Sequence, residues 1–423
     1  MGTLWKIAIR NTIRHKRRTV ITAVVMMAGI SVFILFDSML AGMDRMAIDN
    51  MSDYSLSSLK VRTPAYVDDI TGTPLDKSLS DPAKALSVLA GKGMAATARL
   101  RFVASLSNYN DVIPVIADGV DPATDAAVFK IASSIVSGSW LQSAPPILGA
   151  PKSVVMGALL AKELGLKVGD TVLASVQTVD DVTNADEYAI VGLVQTPNPQ
   201  VNESGLFMSL ADARSLIVAP SMPGGFATEI DAALPRAANL TAAIAEGEKA
   251  AVSLRQALPN LRVDSIGYLA QDYLSVRNAK AKYSFVLIFV VLFIAGVGIV
   301  NTILMSVFSR IREIGVLRAY GMTRREITRL FTFEGLALGL FGSVLGVALG
   351  ALFDLFMVVK GINIEGFSSA MGSLPLGGTI HGEWNPRTMV IGFVFGLLVS
   401  LVAARIPARK AAKLEPTSAL RFQ

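Results

Sequence analysis

The chain has 423 residues, 52% of them hydrophobic and 17% charged, with a mean hydropathy of +0.52. Soluble domains carry about 25% charged residues, so this composition points to a membrane protein. The absence of cysteine excludes disulfides, thiol chemistry and cysteine-linked lipidation, and the net charge of +6 reads below as membrane topology, with no support for nucleic-acid binding.

In chain order, residues 1–18 read as a cytoplasmic amphipathic helix. Trp5, Ile9 and Ile13 share one side of Leu4–Arg18 and Lys6, Arg10 and Arg14 another, the pattern of a helix lying on the inner membrane surface. Residues 19–43 read as a first transmembrane helix around the apolar run Thr19–Ala41. That run exceeds the roughly 7–15 residues of a signal-peptide core, so it is read as a retained anchor. Leu40-Ala41-Gly42 resembles a lipoprotein processing box, but Met43 stands where the cysteine would be required.

Residues 44–282 lack any further span and read as one large extracytoplasmic α+β domain. In Lys152–Val176 a strand at Ser153–Met156 precedes a helix expected to carry Leu159, Leu160 and Leu164 inward. Gly165 stops that helix, and Val168-Gly169-Asp170 turns into a strand at Thr171–Val176. Another strand is expected at Asp111–Ala117, ending in Asp118-Gly119, and a third within Ala185–Thr196. Ser143–Pro151 and Pro220–Gly225 read as loops, and Ala237–Leu258 as a packing helix.

The remaining chain reads as transmembrane helix 2 (283–308), a cytoplasmic coupling helix and turn (309–329), transmembrane helix 3 (330–359), an outer loop (360–386), transmembrane helix 4 (387–404) and a cytoplasmic tail (405–423). A helix needs about 17–25 apolar residues to cross the ~30 Å hydrocarbon core. Segments 1–18, 309–329 and 405–423 hold 17 basic residues against three acids, whereas 44–282 holds 20 basic and 25 acidic residues. The positive-inside rule therefore places both termini and 309–329 in the cytoplasm.

Catalytic chemistry is not legible. His15 and His381 lie on opposite sides of the membrane, and no nucleophile elbow or metal-site spacing occurs. Ala90-Gly91-Lys92-Gly93 has Leu86 where the first glycine of a phosphate loop would be needed. Gly335, Gly339, Gly342, Gly346 and Gly350 mark roughly one face of the third span and suit close helix packing. Asp37, Glu334 and Asp354 are read as paired or interfacial, with a proton relay as the alternative.

Six arginines fall within Ser309–Leu330. Read as a helix, this stretch gathers Ile311, Ile314, Leu317 and Tyr320 on one side, Gly321 ends it, and Thr323-Arg324-Arg325-Glu326 forms a capping box for the next helix. Two readings stand: the arginines anchor span ends, or the helix presents its apolar face to a soluble partner.

The run Asn301–Val307, followed by Arg310-x-Arg312-Glu313-Ile314-Gly315-x-Leu317-Arg318-Ala319-x-Gly321, resembles the signature of the MacB/FtsX/LolC–LolE (type VII) permeases of ABC transporters. Val155–Asp170 resembles their ectodomain pattern, and Ile406–Ala412 through Glu415-Pro416 to Arg421 their C-terminal tail; Ser309 stands where many relatives have a glutamate. The resemblance implies four transmembrane helices, with the large domain between helices 1 and 2, in a bacterial inner membrane. It implies that Ile311, Arg312, Glu313, Ile314, Gly315, Leu317, Arg318, Tyr320 and Gly321 meet a separate ABC ATPase, present in two copies and carrying the ATP and Mg. No cofactor or enzymatic activity is expected on this chain. A second permease copy or paralogue, membrane lipids and a lipoprotein or amphiphilic client are the other expected partners. Lipoprotein release is the leading reading, with MacB-like efflux and FtsX-like signalling to cell-wall hydrolases as alternatives.

Overall fold

The computed structural model describes residues 16–68, 74–142, 152–178, 180, 182–217, 225–363 and 379–413. Residues 1–15 of the expected surface helix at the N-terminus, the loop 143–151, nearly all of 220–225 and the tail motif after Lys413 lie outside them, as does much of the outer loop; residues 16–18, expected to belong to the surface helix, begin α1 instead.

The helices used below are α1 (Lys16–Met51), α2 (Pro82–Gly91), α3 (Ala158–Glu163), α4 (Leu210–Ile217), α5 (Leu240–Ala257), α6 (Gln271–Ser309), α7 (Ile311–Ala319), α8 (Arg324–Val359) and α9 (Pro386–Ala412). The strands are β1 (Leu59–Arg62), β2 (Ala95–Ser107), β3 (Val112–Val120), β4 (Ile135–Gly138), β5 (Lys152–Gly157), β6 (Thr171–Gln177), β7 (Thr183–Val194), β8 (Gly205–Ser209), β9 (Glu229–Ala233) and β10 (Arg262–Ser265). The described residues divide into two units, one within 16–43, 276–362 and 380–413 and the other within 44–275 together with residues 363 and 379.

Among the described residues, the helical runs Thr19–Leu56, which begins in the first unit, Arg324–Val359 and Pro386–Ala412 are long and apolar enough to cross a membrane. Gly296–Ser309 is a shorter apolar stretch within α6, the helix that contains the expected span 283–308. A Cβ built on Gly342, Gly346 or Gly350 of α8 would lie 2.7, 2.8 and 2.7 Å from Met26, Ile30 and Ile34 of α1. Both sets step by four residues in the same direction, so side chains of α1 seat in a glycine groove and the helices run parallel. The other two glycines face α9, Gly335 at Ala404 and Gly339 at Ser400. That register descends as α8 ascends, so α9 is antiparallel. The beginning of α1, the beginning of α8 and the end of α9 consequently share one end of the unit.

In the second unit the strands form one mixed sheet in the order β10-β1-β9-β2-β3-β8-β5-β7-β4, with β6 paired to β2 and β7. Strand β2 is long enough to serve two cores. Its first half pairs with β9 and its second with β3. Behind β1, β9 and β10, residues Leu59, Val61, Ile230 and Val263 pack with Leu89 of α2 and Leu254 of α5. Beyond Arg99, Leu100, Phe102, Ala104 and Leu106 join Val154, Tyr188 and Leu206 in a larger core.

Three expectations are corrected locally. Leu159 is 46% exposed while Leu160 is buried, because α3 is too short to bury more than one side. Strand β3 continues through Asp118-Gly119 to Val120. Asp118 is held there by Arg101, and Ala213 of α4 occupies the space beside Gly119, where a Cβ would come within 2.3 Å. The Ala-rich helix starts at Leu240, where Asn239 caps it by accepting from Ala242 N at 2.8 Å.

The face of β1, β9 and β2 opposite the apolar core is ionic and buried. Lys60 lies 2.6 Å from Glu229 and 3.0 Å from Asp231, and Arg62 lies 2.8 Å from Asp264. The Arg99 guanidinium donates twice to Asp125, at 2.7 and 2.9 Å, and stacks 3.4 Å from the Phe129 ring centre. Burial would raise the Glu229 carboxyl, but Lys60 and Arg101 hold it down to about 2. Burial pushes Asp231 up to about 6 against the pull of Lys60, with Glu229 adding to the rise.

Candidate coupling site

Helix α6 ends at Ser309, and Arg310 (φ −127°, ψ 19°) breaks the chain before α7 begins. The stretch is therefore a separate short helix rather than an extension of the preceding one. Its end follows from Gly321 at φ +93°. The amide of Gly321 donates to Arg318 O at 3.1 Å and that of Met322 to Leu317 O at 3.1 Å, the paired bonds of a Schellman cap. Helix α8 then starts with the expected capping box: Glu326 N donates to Thr323 Oγ1, and Thr323 N to Glu326 Oε2. That hydrogen bond from the Thr323 backbone holds the Glu326 carboxyl below its ordinary range.

Of the apolar stripe, Ile311, Ile314 and Leu317 turn toward the chain itself and only Tyr320 faces outward as the docking alternative has it. Ile311 and Ile314 are 5% and 2% exposed, and Gly315 is buried with them. Ile314 packs in a cluster with Ile327, Phe331, Ala408, Ala411 and Ala412, against which Leu317 and Met322 also rest. Arg318 Nη1 donates to Ala412 O at 2.9 Å, tying α7 to the end of α9. An apolar stripe binds the nearest apolar surface, and here α8 and α9 supply it. What remains outside is Arg312, Glu313, Val316, Ala319 and Gly321, together with Tyr320, which is 88% exposed. The structure thus divides the nine expected residues between an inner set and an outer one.

Two residues that motif reading did not assign to the site join it to α8. Arg310 Nε donates to Glu313 at 2.7 Å, its Nη1 lies 3.7 Å from Glu334 Oε2, and its guanidinium is over the Phe331 ring. Glu334 also accepts from Ser306 Oγ at 3.2 Å. A carboxylate placed in an apolar helix needs such a partner, and that was the signal available in the sequence. The other acids are likewise engaged: Asp354 accepts from Ser38 at 2.5 Å, and Asp37 from Thr388 at 2.6 Å. The five glycines do not form one partner face, since two serve α9 and three serve α1. Among the described residues, no group of three or more His, Cys, Asp or Glu side chains gathers to hold a metal ion.

Residues 19–250 match the family model of the MacB-like periplasmic core domain, and residues 285–416 that of the FtsX-like permease C-terminal domain. The chain is 24% identical over 332 residues to the lipoprotein-releasing system transmembrane protein LolC of Neisseria meningitidis, covering 76% of each protein. It is 24% identical over 330 residues to LolE of Haemophilus influenzae, covering 75% of each. A macrolide export ATP-binding/permease protein, MacB of Bdellovibrio bacteriovorus, is 33% identical over 132 residues, which are 31% of this chain and 18% of that protein. The chain belongs to the MacB/FtsX/LolC–LolE family of ABC-transporter permeases.

Proposed function

We propose that the chain is a four-span inner-membrane permease with cytoplasmic termini, that its region 44–282 is extracytoplasmic, and that a separate ABC ATPase docks on the outer face of α7. Two ATPase copies carry ATP, Mg and the hydrolytic chemistry, and a second permease completes the dimer. Closure of the ATPases pushes α7, and Arg310 with Glu334 passes the push to α8. The observation that carries the docking role is Tyr320, exposed on a helix locked from behind by its own chain. An exposed aromatic on the same short segment as the exposed Arg312 and Glu313 is the kind of anchor that dominates interfaces. The charge asymmetry and the shared end of α1, α8 and α9 support the topology.

The client proposed is a lipoprotein of the outer leaflet, because the similarity to LolC and LolE runs over three quarters of the chain. The shorter match to MacB supports efflux as the second reading.

Val316→Asp with Tyr320→Ala tests the docking face and leaves every arginine in place. The variant inserts normally and loses ATPase copurification by about tenfold or more, as expected for removal of an interface anchor. Full complex assembly with stimulated hydrolysis would reduce the helix to an anchor of span ends. For the client, depletion of the protein should leave lipoproteins in the cytoplasmic membrane; normal sorting with new sensitivity to toxic peptides or drugs would favour efflux.

A further inference from the structure

A cavity of about 910 Å³ opens between the beginning of α8 and the end of α9. Arg324, Arg325 and Arg329 line it from one helix and Arg405, Arg409 and Lys413 from the other. All six are exposed. Glu326 is the sole acid in the lining, and its carboxylate is occupied by the Thr323 cap. Among the described residues, Arg324, Arg325, Arg405, Arg409 and Lys413 form no ion pair with a carboxylate. Two elements about 80 residues apart thus converge six cations on one cavity, which a solvated charge run on a single helix does not do.

The cavity also has polarity along its length. On α8 the lining passes from Arg325 to Phe333, and on α9 from Arg409 to Leu401. Eight residues of helix span about 12 Å, so on both antiparallel helices the wall turns from cationic to apolar over the same depth. A free anion has no use for the apolar part, and a protein surface would not follow the helices inward. An amphiphile with an anionic head and a hydrocarbon tail matches both ends. Basic pockets between helices at the cytoplasmic face hold anionic lipid head groups by this physics.

We propose that this cavity binds the phosphate head group of an anionic phospholipid of the inner leaflet, with the acyl chain leaving past Phe333 and Leu401. The bound lipid neutralises the crowded guanidiniums and clamps the start of α8 to the end of α9, beside the contacts that seat α7. The proposal rests on the membrane-permease reading; if the full chain were washed from membranes by alkaline carbonate, that reading would fail, separately from the lipid site.

The test uses the full-length protein reconstituted into nanodiscs of phosphatidylcholine with a minor fraction of phosphatidylglycerol, and counts retained lipids by native mass spectrometry. The wild type retains phosphatidylglycerol over phosphatidylcholine, and Arg324→Gln with Arg405→Gln and Arg409→Gln lowers that preference about tenfold or more. Lys360→Gln with Arg387→Gln, at the other ends of α8 and α9, leaves it unchanged. Equal retention of the two lipids by the wild type overturns the proposal without reference to any variant. Displacement of the lipid by millimolar inorganic phosphate would make this a free-anion site. A triple variant that keeps its lipid and loses the ATPase subunit would make it a protein-docking surface, and either result overturns the assignment.

Discussion

The two units solve opposite packing problems. In the membrane unit, helices approach through missing side chains: glycines of α8 admit Met26, Ile30 and Ile34 on one side and Ala404 and Ser400 on the other. In the sheet unit, one face of β1, β9 and β2 carries charges, and these are buried and paired with one another. Lipid offers no hydrophobic reward for helix association, so shape and close approach do the work there. An aqueous domain can compact its apolar side by exclusion from water, and its polar side must then satisfy every charge it buries. The membrane unit is therefore sensitive to added volume and the sheet unit to lost charge.

The largest effect should come from removing one member of a buried pair. Asp125→Ala leaves Arg99 buried without its carboxylate and should destabilise the sheet unit by about 3–5 kcal/mol, read as accelerated hydrogen exchange along β2 in the full chain. Replacing both partners, with Arg99→Met and Asp125→Leu, should restore most of that loss. If the single variant cost no more than the double, the ionic face would be solvated filler and the contrast between units would collapse.

Added volume is the next test. Gly342→Ala puts a methyl 2.7 Å from Met26 Cβ, whereas at Gly298 of α6 a Cβ meets nothing within 4 Å. The first should cost about 1–3 kcal/mol by overpacking. The second should be neutral or favourable by up to about 1 kcal/mol through helix propensity. Thermal unfolding of the two variants in the same detergent separates them, and equal behaviour would break the argument from close approach.

The smallest effect concerns pH and sharpens the account of the ionic face. Asp231 is raised in the folded state, so its contribution is fully present below the unfolded value of about 4 and is lost as pH rises through about 6. Stability should accordingly fall between pH 5 and pH 7 by on the order of 1 kcal/mol from this group. Asp231→Asn should remove that component, as seen in the difference between variant and wild-type denaturation at the two pH values. Glu229 is held down and contributes stability above its unfolded range, lost only as pH falls from about 4 through about 2, outside this window. An identical wild-type and variant slope would mean that Lys60 keeps Asp231 ionised throughout.

Much of the molecule was determined by local chemistry. Apolar runs must leave water, and capping residues and glycines stop helices wherever they stand, so the long helices, the Thr323 capping box and the turn at Gly321 were legible residue by residue. The strands β5, β6 and β7 were legible for the same reason, since alternation is a property of a short segment. Partner choice is not local. Periodicity showed that Ile311, Ile314 and Leu317 lie on one side of α7, but only the tertiary structure decided that Ile311 is buried, that Ile314 and Leu317 pack with α8 and α9 and that Tyr320 stays outside. The glycine stripe was visible as a stripe, and its division between α1 and α9 was not. Arg310 with Glu334, Lys60 with Asp231, and the six cations of the α8–α9 cavity join residues 24 to 171 positions apart. Such pairs leave no periodic trace in a single sequence, because their energy depends on the distance between charges in space and on the water that folding removes from between them.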